Sequence, residues 1–174
     1  MAYIFGTPEW LAEYWKAVQG AAEYEQLAKI LEGTAALCML PDPDAGLDEG
    51  LCFLGELKSK DPGPIRIVSK KEARKADFVF TGEYIKWKGV TKGDVDPVRE
   101  AMRGHLKITG KILKLMQVAR HIRVSTVIGR LVGLASTVET LFPDELSPGD
   151  IEKFKVRVRA APPFESPREG GVFE

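Results

Sequence analysis

Two short runs of alternating residues, joined by a helical connection and followed at once by a helix, set the strongest limit on how this chain folds. At residues 76–81 Phe78 and Phe80 point one way while Asp77 and Val79 point the other, and at residues 104–110 Leu106 and Ile108 share a face, because successive side chains of a strand alternate. Between these runs, residues 83–88 and 97–103 read as short helical segments. Thr109 is placed to cap a long helix beginning at Gly110 or Lys111, whose apolar stripe is Ile112, Leu115, Met116, Ala119 and Ile122. The strand faces are expected to meet that stripe. The same residues suit either an ordinary core or a pliable apolar surface for a ligand of no fixed shape.

The flanking sequence extends this α/β pattern. Thr7, Pro8 and the spacing of Trp10, Leu11, Tyr14, Trp15 and Val18 predict an opening helix, with a break near Gly20 before Tyr24, Leu27, Ala28 and Leu31 resume the period. Residues 34–40 and 51–58 are strand-like runs joined by a turn-rich acidic segment, a hairpin with a long loop. That loop does not fit a calcium-binding hand, because Gly46 and Leu47 stand where an acidic or amide ligand and a glycine are needed. Residues 65–68 read as a further strand. A second helical stripe, Ile128, Leu131, Leu134, Ala135, Val138 and Leu141, follows a break expected at Ser125 and Thr126. In the tail, the alternation of Phe154, Val156 and Val158 predicts an edge strand over 154–159, then an arm without regular structure.

The most specific stretch runs from Ala76 through Gly89, then from Asp96-Pro97 through Met102 and Gly104 to the Leu106-Lys-Ile-Thr-Gly110 strand, and on to Leu113-Lys-Leu-Met116. It resembles the sterol carrier protein type 2 family, whose members carry an Ala-Asp strand and a short helix. Asp-Pro, an aliphatic or Met residue before Gly, and a Leu-Lys-Ile-x-Gly strand entering the last helix follow in that family. The resemblance covers residues 24–120. It implies an α/β (α+β) fold, a five-stranded, mostly antiparallel sheet covered by helices with an apolar tunnel between them. The implied activity is non-catalytic binding or transfer of a fatty acyl chain, an acyl-coenzyme A or a sterol-like lipid, with no cofactor. The expected tunnel lining is Phe78, Phe80, Met102, Leu106, Ile108, Ile112, Leu115, Met116 and Ala119. Residues 1–146 are expected to form the lipid-binding domain, with a helical addition in front and a lengthened last helix. Residues 147–174 are expected to add a strand and an arm, a candidate homodimer contact. Because the front and the extension after Arg120 depart from the family pattern, a plugged fold serving as an interaction accessory stays open beside the carrier, and an acyl-handling enzyme subunit stays open behind both.

At 174 residues the chain can bury a core without staples, since a domain near this size buries roughly 70% of its unfolded surface. Lys+Arg and Asp+Glu both total 25, so no bulk attraction to nucleic acid is expected. The distribution is less even, with no acidic residue from Ala101 to Val138. There Lys111, Lys114, Arg120 and Arg123 form either a solvated face or an anion site for lipid head groups, acyl-coenzyme A phosphates or a transient anionic membrane contact. His105 is expected to face away from the apolar side, and neither it nor His121 has a nucleophile or carboxylate at a recognisable spacing, so no catalytic or metal site is expected. Cys38 and Cys52 lie within apolar runs and read as buried, reduced thiols. The opening residues lack the basic and apolar regions of a signal peptide, and no stretch reaches the ~18 apolar residues of a membrane span. A cytoplasmic location is therefore expected.

Overall fold

The computed structural model describes residues 1–58, 63–111, 113, 117 and 124–159. The chain begins with β1 (Tyr3–Ile4) and α1 (Pro8–Gln19). Thr7 caps α1 by accepting the Trp10 N–H at 3.4 Å, Pro8 occupies its first turn, and its apolar stripe is buried. Gly20 ends this helix, and α2 (Ala22–Ile30) starts anew and buries Tyr24, Leu27 and Ala28. The hairpin of β2 (Gly33–Met39) and β3 (Leu51–Leu57) follows, then β4 (Arg66–Val68) and the single-turn α3 (Lys70–Ala73). Next come β5 (Phe78–Gly82), α4 (Tyr84–Lys92), α5 (Pro97–Met102) and β6 (Leu106–Gly110).

The five strands lie in the order β4-β3-β2-β5-β6. All neighbours are antiparallel except β2 and β5, which run parallel with Leu37 opposite Phe80. The alternation read in the sequence sets the two faces. Leu37, Phe53, Phe78, Phe80 and Leu106 share the inner face and pack into the main core, while Ala36, Cys38, Cys52 and Val79 form a smaller cluster on the outer face. Gly110 closes β6 at φ 107°, where an added Cβ would lie 2.1 Å from the Asp77 carbonyl oxygen. Only glycine lets the chain turn there, with the Lys111 N–H donating to that same carbonyl at 2.7 Å.

The helix α6 (Val124–Gly133) crosses the inner face beside α2 and α5. It runs through Ser125 and Thr126 without the expected break, and the stripe beyond it is not helical to Leu141. Residues 134–137 tighten into a 3₁₀ turn, and Thr140 and Leu141 form β7, parallel to β1. The Tyr3 and Phe5 N–H groups donate to the Glu139 and Leu141 carbonyls at 2.8 and 2.9 Å, so backbone pairing draws this segment out of the helix. Phe5 is then buried against Trp10, Phe53 and Phe142.

The predicted edge strand at 154–159 is corrected. The segment lies mostly in a helix, α7 (Pro148–Arg157). Ser147 caps it by accepting the Asp150 N–H at 3.3 Å, and Pro148 begins the first turn. Phe154 is 1% exposed in the main core while Val156 is 60% exposed, a separation that a strand face would not allow. Lys155 reaches Asp48 at 3.2 Å, and Arg157 pairs with Glu9, fixing the helix to its own chain. The arm expected after it lies outside the described residues. Among those residues no helix is long and apolar enough to cross a membrane.

Candidate functional site

Between the inner sheet face and the helices lies a cavity of about 270 Å³. Its floor is built from alternate residues of four strands: Ala35 and Leu37, Gly55 and Leu57, Phe78 and Phe80, Leu106 and Ile108. Its roof comes from Tyr14, Trp15 and Val18 of α1, Leu27 of α2 with Leu31 beyond it, and Ile128, Leu131 and Val132 of α6. Trp87 of α4 and Pro97, Val98 and Ala101 of α5 close one side. Small residues at Ala35 and Gly55 keep the floor low. A Cβ at Gly55 would stand 3.5 Å from the Trp15 ring, ordinary contact distance.

Among the described residues no charged one lines this space. Three lining side chains carry an N–H or O–H, and each one is already committed. The Tyr14 hydroxyl donates to the Leu131 carbonyl at 3.2 Å, Trp15 Nε1–H to the Gly63 carbonyl at 3.0 Å, and Trp87 Nε1–H to the Cys38 carbonyl at 3.0 Å. Burial pushes the Tyr14 phenol far above its ordinary value, so it stays neutral. The described walls therefore offer contact area and, among the described residues, no acid, base or nucleophile. Among the described residues no group of three or more His, Cys, Asp or Glu side chains is placed to hold a metal ion.

Of the lining residues expected from sequence, Phe78, Phe80, Leu106 and Ile108 face the cavity together. Met102 does not, and that expectation is corrected: it is 83% exposed at the end of α5. Successive helical residues are turned by roughly 100°, so once Val98 and Ala101 face inward, Met102 is carried outward. Ile112, Leu115, Met116 and Ala119 lie outside the described residues, as do Lys114, Arg120 and Arg123. Lys111 is described, and its ammonium is held 2.7 Å from Asp77. Lys111 first, and then the Thr34 backbone N–H donating at 2.9 Å, hold the Asp77 carboxyl below the usual carboxylate range. Lys111 thus serves an internal ion pair rather than presenting a free charge. The roof residues of α1, α2 and α6 were visible in the sequence as helical stripes, but nothing in those stripes says which part faces a space rather than a solid core. His105 lies on the outer face as expected, its Nδ1 2.6 Å from the buried Glu100 carboxylate.

Residues 56–123 match the model of the SCP-2 sterol transfer family. Among solved structures, the crystal structure of a sterol carrier protein 2 superposes with a TM-score of 0.64 at 25% identity, covering 77% of this chain and 98% of that one. The solution structure of a conserved hypothetical protein from Thermus thermophilus, described as possibly a sterol carrier protein, superposes with a TM-score of 0.63 at 24% identity, covering 81% and 94%. No curated protein sequence matches significantly. The matched segment takes in β4, β5 and β6 but none of α1, α2 or α6, so the roof residues described above lie outside it. Sequence over residues 56–123 and fold over most of the chain thus agree with the resemblance read from Ala76 to Met116, and in both respects the chain is similar to sterol carrier protein 2.

Proposed function

We propose that the protein binds and carries a single apolar, lipid-like chain in the cavity between sheet and helices, without catalysing a change in it. The observation that carries this reading is a space whose described walls are apolar and whose three described polar side chains are all internally paired. The family matched over residues 56–123 is a sterol transfer family, which supports a lipid as the ligand class. At about 270 Å³ the space lies near the lower end of ligand pockets, which run from roughly 300 to 1,000 Å³. It suits part of one aliphatic chain better than a rigid ring system. A carboxylate or phosphate head would be left unpaired inside, at a cost no apolar contact offsets, so the head stays at the surface.

Fatty acids of increasing length, titrated by calorimetry, test this reading. Each methylene buried contributes about 0.8 kcal/mol, so affinity should rise roughly fourfold per carbon until the space is filled, then level off. Ala35→Phe, which places a ring on the cavity floor, should move that plateau to shorter chains. Length-independent binding, or a variant with the parent's profile, would show that the ligand does not enter this space.

A further inference from the structure

The outer face of the sheet carries a feature independent of the lipid cavity. Cys38 of β2 and Cys52 of β3 stand directly opposite one another in the antiparallel register. Both side chains belong to the outer-face cluster, both are free thiols, and both line a groove of about 590 Å³. The groove exists because this face is built from small residues, with Ala36, Ala73 and Ala76 around the thiols, and because its covering helix α3 is only four residues long.

The rim of the groove is mainly cationic. Lys70, Arg74, Lys86 and Lys107 line it against the two carboxylates Glu49 and Glu83, with His105 held by Glu100. Lys86 reaches Glu100 only at 3.9 Å, and Lys70, Arg74 and Lys107 make no ion pair with any described residue. Lys70, the first residue of α3, and Arg74, just after its end, also act electrostatically on the thiols. Directly opposed residues of an antiparallel pair have Cα atoms about 4.5 or 5.5 Å apart, and both spacings fall within the range a disulfide spans. A strand pair therefore already holds the two sulfurs where a bond between them can form.

We propose that Cys38 and Cys52 are a reactive dithiol that takes an anionic low-molecular-weight disulfide into this groove and is oxidised by it to a cross-strand disulfide. Cys52 is the attacking sulfur. The Cys38 thiol donating to it, with Lys70 and Arg74 nearby, holds the Cys52 thiol below its ordinary value, and the same contact pushes the Cys38 thiol up. In the first step the Cys52 thiolate attacks one sulfur of the small disulfide, forming a mixed disulfide and expelling one small thiolate. Cys38 then attacks the Cys52 sulfur and expels the second small thiolate. The two protein thiols lose two electrons and two protons, and the small disulfide gains both as two thiols. Carboxylates on the reagent meet the unpaired cations of the rim.

The test uses the reduced, full-length chain with glutathione disulfide, which is anionic, and cystamine, which is cationic, followed by acid quenching and intact-mass and peptide analysis. The parent should lose two hydrogens and yield a linked peptide pair containing Cys38 and Cys52. Cys38→Ser should instead stop at one stable glutathione adduct on Cys52. Lys70→Gln with Arg74→Gln, both exposed and thus harmless to folding, should slow reaction with glutathione disulfide at least threefold and leave cystamine no slower. The proposal is overturned if the folded parent stays unreacted while urea-unfolded chain reacts, if the Cys38→Ser adduct is absent, or if the charge variant slows both reagents equally. Lipid binding plays no part in any of these readouts.

Discussion

Asp77 stands where β5 begins and collects three donors from two other parts of the chain: Lys111 Nζ, the Thr34 N–H and the Thr34 hydroxyl. Its carboxyl is depressed in the folded state relative to the unfolded one. The unfolded chain therefore takes up that proton first as pH falls. The stability contributed by Asp77 is present above the ordinary carboxylate value of 3.8 and is lost as pH drops through the lower, folded value. Asp77→Ala should cost about 1.5–3 kcal/mol at neutral pH, the range for hydrogen bonds to a charged group, and the gap to the parent should narrow in urea melts run from about pH 5 down to about pH 2. A gap unchanged with pH would mean that the carboxyl is not ionised in its fold. At this scale the sequence is legible where backbone periodicity alone decides, as with Phe78 and Phe80. It is not legible at Met102, whose direction depends on where a six-residue helix starts its rotation. Nor does it show that Lys111 is spoken for, since its partner Asp77 lies far away in sequence, at the start of the neighbouring strand.

Among the elements, α7 shows how two periods compete over a short run. Phe154, Val156 and Val158 alternate as a strand would, yet Ile151, Phe154 and Val158 also recur at helical spacing. The cap decides between them: Ser147, Pro148 and Asp150 form a helix start that no strand would use. Phe154 then enters the main core beside the hairpin loop, where a Cβ on Gly46 would lie 3.0 Å from Ile151 and 3.5 Å from Phe154. Phe154→Ala should lower unfolding stability by about 3–5 kcal/mol, whereas Val156→Ala should change it by less than about 0.5 kcal/mol. Comparable losses at both positions, measured by denaturant titration, would restore the strand reading. The sheet was easier to read because β5 and β6 each repeat their alternation against a neighbour that does the same. The pairing of β1 with β7 was not legible, since two-residue strands carry no period at all.

Over the molecule as a whole, the segment that resembles its relatives and the segments that shape the cavity are only partly the same. Residues 56–123 supply much of the floor and one side, whereas α1, α2 and α6 supply the roof. This division gives a direct optical test, because the chain has three tryptophans and they are distributed unequally. Trp15 and Trp87 line the cavity, while Trp10 packs against Phe5 and Tyr14 away from it. Filling the cavity with a fatty acid should shift tryptophan emission. Trp15→Phe and Trp87→Phe should each remove part of that shift, and Trp10→Phe should leave it intact. A shift that depended on Trp10 alone would place the ligand elsewhere. The internal pairing of Tyr14, Trp15 and Trp87 also has a consequence for discrimination. A hydroxyl or keto group partway along a chain would find nothing to bond among the described lining residues, at a penalty of about 1–3 kcal/mol. Two chains of equal length and nearly equal shape, one plain and one oxidised near its middle, should thus differ in affinity by roughly five- to 150-fold. A carrier with these walls would sort by where along a molecule the polarity sits, admitting amphiphiles that are polar at one end and turning away those marked in the middle.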